Sequence, residues 1–363
     1  MTLEKEKRLT VLQNDEPYCL TASYSIFSNN DCSTKDGICQ GFTENCEIEE
    51  KFTPKRKQSE LLAASFKRLD MDKRSARVSD CGTYLTFAHQ IDGSGNVSEK
   101  GKLHNANFCR DRLCPMCAWR RSYKIFAQVS KIMAHIKDDY AFLFLTLTIP
   151  NISSENVSEA LQELQQGWQR LRRTKRFKSV IKGYFKALEI TYNKDSETYH
   201  PHFHIVLAVS KSYFNSRAND YISRSEWLQM WRDAMNDQTI TQVDIRRAKS
   251  KYSSDELNAS SDLSSAVAEV AKYAVKLDDD LLVNDEVIGV LASVLHGKRL
   301  CEFDGKGAFG LARLALKLDD AEDGDLIHID DDEINPALAF LIVRYGWSAG
   351  AYKMIDSVVK TDL

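Results

Sequence analysis

The 363-residue sequence contains no apolar run long enough to cross a bilayer. Its strongest run, Ala141 to Pro150, falls well short of the roughly 20 residues that a spanning helix needs. The opening stretch, MTLEKEKRLT, has no apolar signal segment, so the expectation is a cytoplasmic protein without membrane contact. Gly305, Gly307 and Gly310 are read as turns rather than as a dinucleotide fingerprint. Net charge is nearly absent, at −3. That small total hides an uneven distribution.

Residues 102–256 carry 25 Lys+Arg against 16 Asp+Glu, and the two ends are correspondingly acidic. A basic middle suits contact with nucleic acid through one face, although solvated surface charge gives the same composition. The densest stretches are RLRRTKRFKSVIK, Arg170 to Lys182, and the patch Arg246-Arg247-Ala248-Lys249-Ser250-Lys251. The segment from Lys317 to Glu333 is strongly acidic and is expected to be solvated, where it would repel DNA phosphate or compete for a basic groove.

Nine cysteines in a cytoplasmic chain argue for metal binding rather than a disulfide framework. Cys19, Cys32, Cys39 and Cys46 are widely and irregularly spaced in a polar region, which favours free thiols over a second metal site. The motif FCRDRLCPMCAWRR is different. Cys114 and Cys117 form a C-x-x-C knuckle with Cys109 five residues before it, and such clusters assemble tetrahedral structural zinc. Cys81 is the expected fourth ligand and His104 the alternative; a redox C-x-x-C is the rival reading. Arg110, Arg112, Arg120 and Arg121 around the knuckle could meet phosphates or form ordinary surface charge.

Apolar spacing predicts a helix over 59–80, strands at 81–87 and 102–107, and an amphipathic helix from about Ala118 to Lys137. A central strand at 142–149, a helix over 153–173 and a helix capped by Ser225 follow, then a short strand at 241–246. A serine-rich linker runs to Ser261, helices are expected to about His296, and 298–303 reads as a strand. Between these lies FKALEITYNKDSETYHPHFHIV. Its alternating His200, His202 and His204 would share one strand face, and a hairpin through 193–196 would bring Glu189 beside them. Two or three imidazoles with a carboxylate suit a divalent ion such as Mn²⁺ or Mg²⁺. His200, next to Pro201, is the weakest ligand candidate, and solvent-facing strand histidines are the alternative.

On the predicted helix SSAVAEVAKYAVKLDDD, Glu269 and Tyr273 lie one turn apart, with Lys276 on the same side. A tyrosine with a neighbouring carboxylate can be a nucleophile beside a base. It can also be a core tyrosine whose hydroxyl is satisfied by an acid.

In their order along the chain, FLFLTLT, the Glu strand, HPHFH and KYAVK resemble the HUH superfamily of single-strand DNA nickases. With DCGTYL and FCRDRLCPMCAWRR added, residues from about Arg77 to Glu333 resemble the Rep type 1 replication initiators of small Gram-positive rolling-circle plasmids. The resemblance implies an α+β fold, with a central antiparallel sheet, the His strand in its middle, flanking helices and an N-terminal zinc knuckle. It implies His202, His204 and Glu189 as ligands of a catalytic Mn²⁺ or Mg²⁺, and Cys81, Cys109, Cys114 and Cys117 on structural zinc. Tyr273 corresponds to the nicking tyrosine, leaving a 5′-phosphotyrosine and a free 3′-OH, and Glu269 to the acid that activates water at termination. Lys276 is placed by spacing alone as a counter-charge to phosphate. His200 departs from the pattern by adding a third imidazole.

Expected partners are the plasmid double-strand origin, presented as a hairpin with adjacent duplex, a host helicase and polymerase, and a second copy of the chain. The duplex would be gripped by Arg170, Arg172, Arg173, Lys175, Arg176, Arg246, Arg247, Lys249 and Lys251. The expected division is a polar segment 1–58, a helical zinc-binding element 59–139, a nickase core 140–281 and a helical, acidic segment 282–363. Three alternatives stay open: a non-catalytic zinc-dependent DNA-binding regulator, an HUH transposase or relaxase, and a small-molecule metallohydrolase.

Overall fold

The computed structural model describes residues 48–215, 220–247, 267, 277–329 and 339–361. A turn of π-helix at Ile48–Phe52 leads into α1 (Thr53–Arg68), with Pro54 in the first turn where its missing N–H costs nothing. The single helix expected over 59–80 is in fact broken. Asp70 takes a left-handed φ of 58° and α2 (Asp72–Asp80) starts afresh. A short polar side chain tolerates that conformation, so the break needs no glycine.

β1 (Tyr84–Ile91) and β2 (Lys102–Ala106) pair antiparallel, as their alternation predicts. They are completed from the far end of the chain. β8 (Ala339–Ser348) and β9 (Ala351–Lys360) form a hairpin, and β8 pairs along the whole of β1, giving a four-stranded sheet of order β2-β1-β8-β9. Ala349 and Gly350 both have positive φ at the turn, 52° and 80°, the twist that joins antiparallel strands over two residues. The 282–363 segment, expected as helical and acidic, thus ends in two strands.

The second sheet is built from β3 (Tyr140–Thr148), β4 (Ile181–Asn193), β5 (Thr198–Ser210), β6 (Val243–Arg247) and β7 (Cys301–Phe303). Its order is β6-β3-β5-β4-β7, antiparallel throughout, so the histidine strand β5 is the middle strand of five. The β4–β5 turn is fixed by Asn193 Oδ1, which accepts from the N–H groups of Asp195 and Ser196 at 2.9 and 3.1 Å.

Period-two alternation gives this sheet two apolar faces, and each is covered. Leu145, Leu147, Leu188, Phe203 and Ile205 pack with Leu164 and Trp168 of α4 (Val157–Arg173), Phe177 of α5 (Lys175–Val180), and Trp227 and Trp231 of α6 (Arg224–Met235). The opposite face, with Phe142, Phe185, Val206 and Ala208, packs on the second half of α3 (Pro115–Ile136) and on α9 (Ala308–Ala315). Val267 is buried in this same cluster. α6 is capped by Ser223 rather than the expected Ser225: Ser223 Oγ accepts from the N–H of Glu226, the S-x-x-E spacing of a capping box. α7 (Asp279–Leu282) and α8 (Asp285–Val294) pack against α1.

Much of the acidic stretch is held against the protein, although Asp323 and half of the Asp319 side chain stay exposed. Glu322 is 2% exposed, accepts from the backbone N–H groups of Leu300 and Cys301 and pairs with Arg112. Asp319 binds Lys124 at 2.5 Å and Asp320 binds Arg299 at 2.5 Å. Arg120 donates to the carbonyls of Leu326 and Ile327 at 2.8 Å each, and Arg121 donates to those of Glu322 at 3.1 Å, Asp111 at 3.3 Å and Arg110 at 2.6 Å. The knuckle arginines therefore bind protein. They clamp the acidic loop onto α3, which makes charge density a poor guide to exposure here.

Candidate metal centres

The first centre forms where α2 ends and α3 begins. Cys81 caps α2, Cys114 is the N-cap residue of α3 and Cys117 lies in its first turn, while Cys109 comes from the intervening loop. The sulfurs of Cys81 and Cys117 are 3.5 Å apart, those of Cys109 and Cys117 3.7 Å, and those of Cys81 and Cys114 3.5 Å. Four thiolates at about 2.3 Å around a tetrahedral ion would stand ~3.8 Å from one another, so the donor set fits such an ion closely. All four are free of disulfides.

The loop turns its backbone toward the sulfurs. Cys109 N–H donates to Cys81 Sγ at 3.3 Å, Arg110 N–H to Cys117 Sγ at 3.2 Å and Asp111 N–H to Cys109 Sγ at 3.4 Å. Arg110 holds a left-handed φ of 59° to make this turn. Asp111, buried, binds Arg74 at 2.7 and 3.0 Å and Arg77 at 3.0 Å, fastening α2 to the knuckle. On the other side, Tyr352 of β9 donates to the carbonyl of Gly82 at 2.5 Å. Hydrogen bonding to Cys109 and Cys114 pushes the Cys81 thiol up. Such a packed set of thiols can shed its protons together only against a cation. His104, the alternative ligand, instead faces His328, with ring centroids 6.3 Å apart.

The second centre lies on the pleat of β5. In register, Glu189 is opposite His202, Ala187 opposite His204, and Thr146 opposite His204 on the other side. Glu189 Oε2 stands 2.8 Å from His204 Nε2 and 3.4 Å from His202 Nε2, and the two imidazole nitrogens are 3.1 Å apart. Three donors thus converge on one point. His202 Nδ1 faces the carbonyl oxygen of His200 at 3.0 Å, which can only accept, so that nitrogen carries a proton and Nε2 is the one that could give up its own to ligate an ion. Thr146 Oγ1, 3.4 Å from His204 Nδ1, is placed to orient the second ring.

Burial by itself pushes the Glu189 carboxyl up, but hydrogen bonds from His202 and His204 outweigh it and hold the group well below the usual carboxylate range. A buried anion between two imidazoles is the donor chemistry of a divalent cation site. His200 is not part of the cluster: its Nδ1 lies 2.8 Å from Asn151 Oδ1, and burial lowers its pKa. Asn151 and Thr146 were not singled out from the sequence. Thr146 was recoverable in principle, since the alternation of FLFLTLT puts it on the histidine face.

Behind this site, on the other face of β4, Lys186 is buried and binds Gln165 at 2.7 Å and Glu302 at 3.4 Å, with its ammonium 4.1 Å from the Phe203 ring. Burial pushes it down to about 8.

Among the expected DNA contacts, Arg170 donates to the carbonyl of Ala234 and Arg172 to Tyr184 at 3.1 Å, while Arg176 pairs with Glu226 at 2.8 Å. Arg246 pairs with Asp244 at 2.6 Å, and Arg173, Lys175 and Arg247 are exposed. Lys249, Lys251, Glu269, Tyr273 and Lys276 lie outside the described residues, as do the four early cysteines. No helix of the described residues is long and apolar enough to cross a membrane.

Fold and donors together define an α+β protein of two antiparallel sheets flanked by helices, with two groups of side chains able to hold metal. The chain belongs to the replication protein family Rep_1, whose profile matches residues 100–353. It is 34% identical over 320 residues to a "Protein rep" of Bacillus amyloliquefaciens, covering 82% of this chain and 91% of that one. It is 37% identical over 241 residues to a "Protein rep" of Staphylococcus aureus (66% and 97%), and 36% over 292 residues to one of Streptococcus pneumoniae (79% and 86%). No solved structure matches the chain.

Proposed function

We propose that this chain is a cytoplasmic initiator of plasmid rolling-circle replication, an HUH-type nickase that cuts one strand at the double-strand origin. The observation that carries the reading is the convergence of Glu189, His202 and His204 on the middle strand of an antiparallel sheet in a replication protein. A divalent ion held there, Mn²⁺ or Mg²⁺, would offset the negative charge that develops on the scissile phosphate. The Cys81, Cys109, Cys114 and Cys117 set would hold structural zinc.

In this reading the Tyr273 hydroxyl attacks the phosphorus. The P–O3′ bond breaks, the 3′-oxygen leaves as a hydroxyl that can prime a polymerase, and the 5′-phosphate stays on the tyrosine. The bond energy is conserved, so rejoining needs no nucleotide. Glu269 takes the proton from water or from the incoming 3′-hydroxyl at termination, and Lys276 offsets phosphate charge. Val267, buried in the same apolar cluster as Val206 and Phe185, supports the assignment, because it anchors the chain just before Glu269 on the histidine face.

The test is a labelled single-stranded oligonucleotide carrying the plasmid's own nick site, incubated with Mn²⁺ and run on a denaturing gel. A protein–DNA band that persists in the wild type and vanishes in Tyr273→Phe is expected, with Glu269→Ala still nicking but terminating abnormally. An adduct undiminished in Tyr273→Phe would remove the tyrosine from its role. No cleavage with duplex binding intact would favour a DNA-binding regulator.

A further inference from the structure

Tyr221 is 56% exposed, and its ring lies tilted by 49° against that of Tyr213, with centroids 5.5 Å apart. Tyr213 is buried, locked by its hydroxyl to the backbone of Ile222 at 3.1 and 3.2 Å, and its ring lies 4.9 Å from that of Phe214. Phe214 in turn carries the Arg247 guanidinium 4.1 Å above it. At the other end of this row, Arg176 donates to the carbonyl of Tyr221 at 2.8 Å. A ladder of rings therefore joins two basic segments far apart in sequence, α5 and β6.

The ladder runs beside the sheet edge that β6 forms among the described residues. β6 is the outermost strand, so consecutive Arg246 and Arg247 point to opposite faces, Arg246 toward the histidine face and Arg247 toward the rings. Arg247 is level with Leu143, three residues along β3 from Thr146 at the metal centre, or ~10 Å along the strand. Two of the arginines here are already neutralised, Arg176 by Glu226 and Arg246 by Asp244. The surface is thus a weak phosphate groove, and duplex DNA presents it little else. What it does offer is an exposed aromatic face and a cation stacked on a ring, the combination that receives unpaired bases.

We propose that Tyr221, Phe214 and Arg247 form a stacking platform for single-stranded DNA, which passes round the β6 edge toward Glu189, His202 and His204. The proposal deepens the nickase reading by assigning the strand's path. Its test does not depend on cleavage.

Fluorescence anisotropy with a labelled oligothymidylate and with a labelled duplex of the same length compares the wild type, Tyr221→Ala, Tyr221→Phe and Arg247→Ala, each checked by thermal melting. Loss of one stacked base predicts about 5- to 100-fold weaker single-strand binding in Tyr221→Ala. Tyr221→Phe should retain it, and duplex affinity should change little. Unchanged single-strand affinity in Tyr221→Ala, or an equal loss on the duplex, would overturn the platform. If the wild type binds the single strand through Tyr221 yet forms no covalent adduct with its nick site, the platform stands and the nickase reading fails.

Discussion

Cys81, Cys109, Cys114 and Cys117 are enclosed by caps and turns, whereas Glu189, His202 and His204 stand side by side on the pleat of a strand. The knuckle supplies four donors, receives backbone N–H groups on its sulfurs and is braced by Asp111 and Tyr352. The sheet centre supplies three among the described residues, and its outer partners, the His200 carbonyl and Thr146, orient the rings without adding a ligand. A closed set of four sulfurs suits an ion that holds a fold together. Three donors leave coordination positions for a phosphate and are held instead by a rigid sheet.

The sharpest way to break this comparison is to remove one donor from each. Cys117→Ser should have the largest effect. Structural zinc contributes about 10–16 kcal/mol in small domains, as much as a whole domain's net stability of about 5–15 kcal/mol. The expected outcome is loss of bound zinc and of the cooperative thermal transition, read by metal analysis and circular dichroism. A variant that melts like the wild type would mean that the knuckle needs no metal. His204→Ala should do the reverse, keeping zinc and the melting transition while Mn²⁺ affinity falls by more than roughly 100-fold, beyond the loss typical of outer-shell changes. Titration calorimetry reads this directly.

Much of this contrast was legible in the sequence. Period two in HPHFH put the imidazoles on one face, and the C-x-x-C spacing located the knuckle. Both signals are local, with the donors set by a strand's pleat or by one turn of chain. What was not legible depends on distant partners. The run AFLIVRYGWS has a strand's composition, yet its role as β8 is defined only by pairing with β1, some 250 residues earlier. Glu322 looked solvated because its neighbours are acidic. Its partners, Arg112 and the N–H groups of Leu300 and Cys301, lie elsewhere in the chain. Charge composition likewise suggested a DNA grip at Arg170 and Arg172, whose guanidinium groups instead meet internal oxygens.

A subtler test concerns what holds the sheet centre from behind. Lys186 has its ordinary pKa in the unfolded chain but is pushed down to about 8 by burial in the fold. Below pH 8 both states are charged, and folding carries the desolvation cost. Between about 8 and 10.5 the unfolded chain binds the extra proton, so stability should rise with pH across that window, by a few kcal/mol at most. Lys186→Met should lack this rise and be as stable as the wild type or more so at pH 7. Parallel denaturation curves for the two proteins from pH 7 to 10 would rule the buried charge out as the cause.

The smallest expected effect bears on a requirement that the knuckle does not share. The sheet centre acts, in the proposed reading, only when Tyr273 reaches it, and that tyrosine is carried between two anchors. One is Val267 in the apolar cluster. The other is Lys194 in the β4–β5 turn, which binds both Asp278 and Asp280 at 2.9 Å. Asp278 is five positions from Tyr273, so this ion pair confines the hydroxyl's residue to within ~18 Å of the anchor. The groups are exposed, and Lys194→Ala should slow adduct formation by only about two- to fivefold, without changing Mn²⁺ affinity. Asp278 also caps α7 through the N–H of Leu281, so the partner to reverse is Asp280. Lys194→Glu combined with Asp280→Lys should recover part of the rate, and both defects should fade in high salt as screening removes the wild type's advantage. A Lys194→Ala protein that forms the adduct at the wild-type rate in low salt would leave Val267 as the anchor that matters.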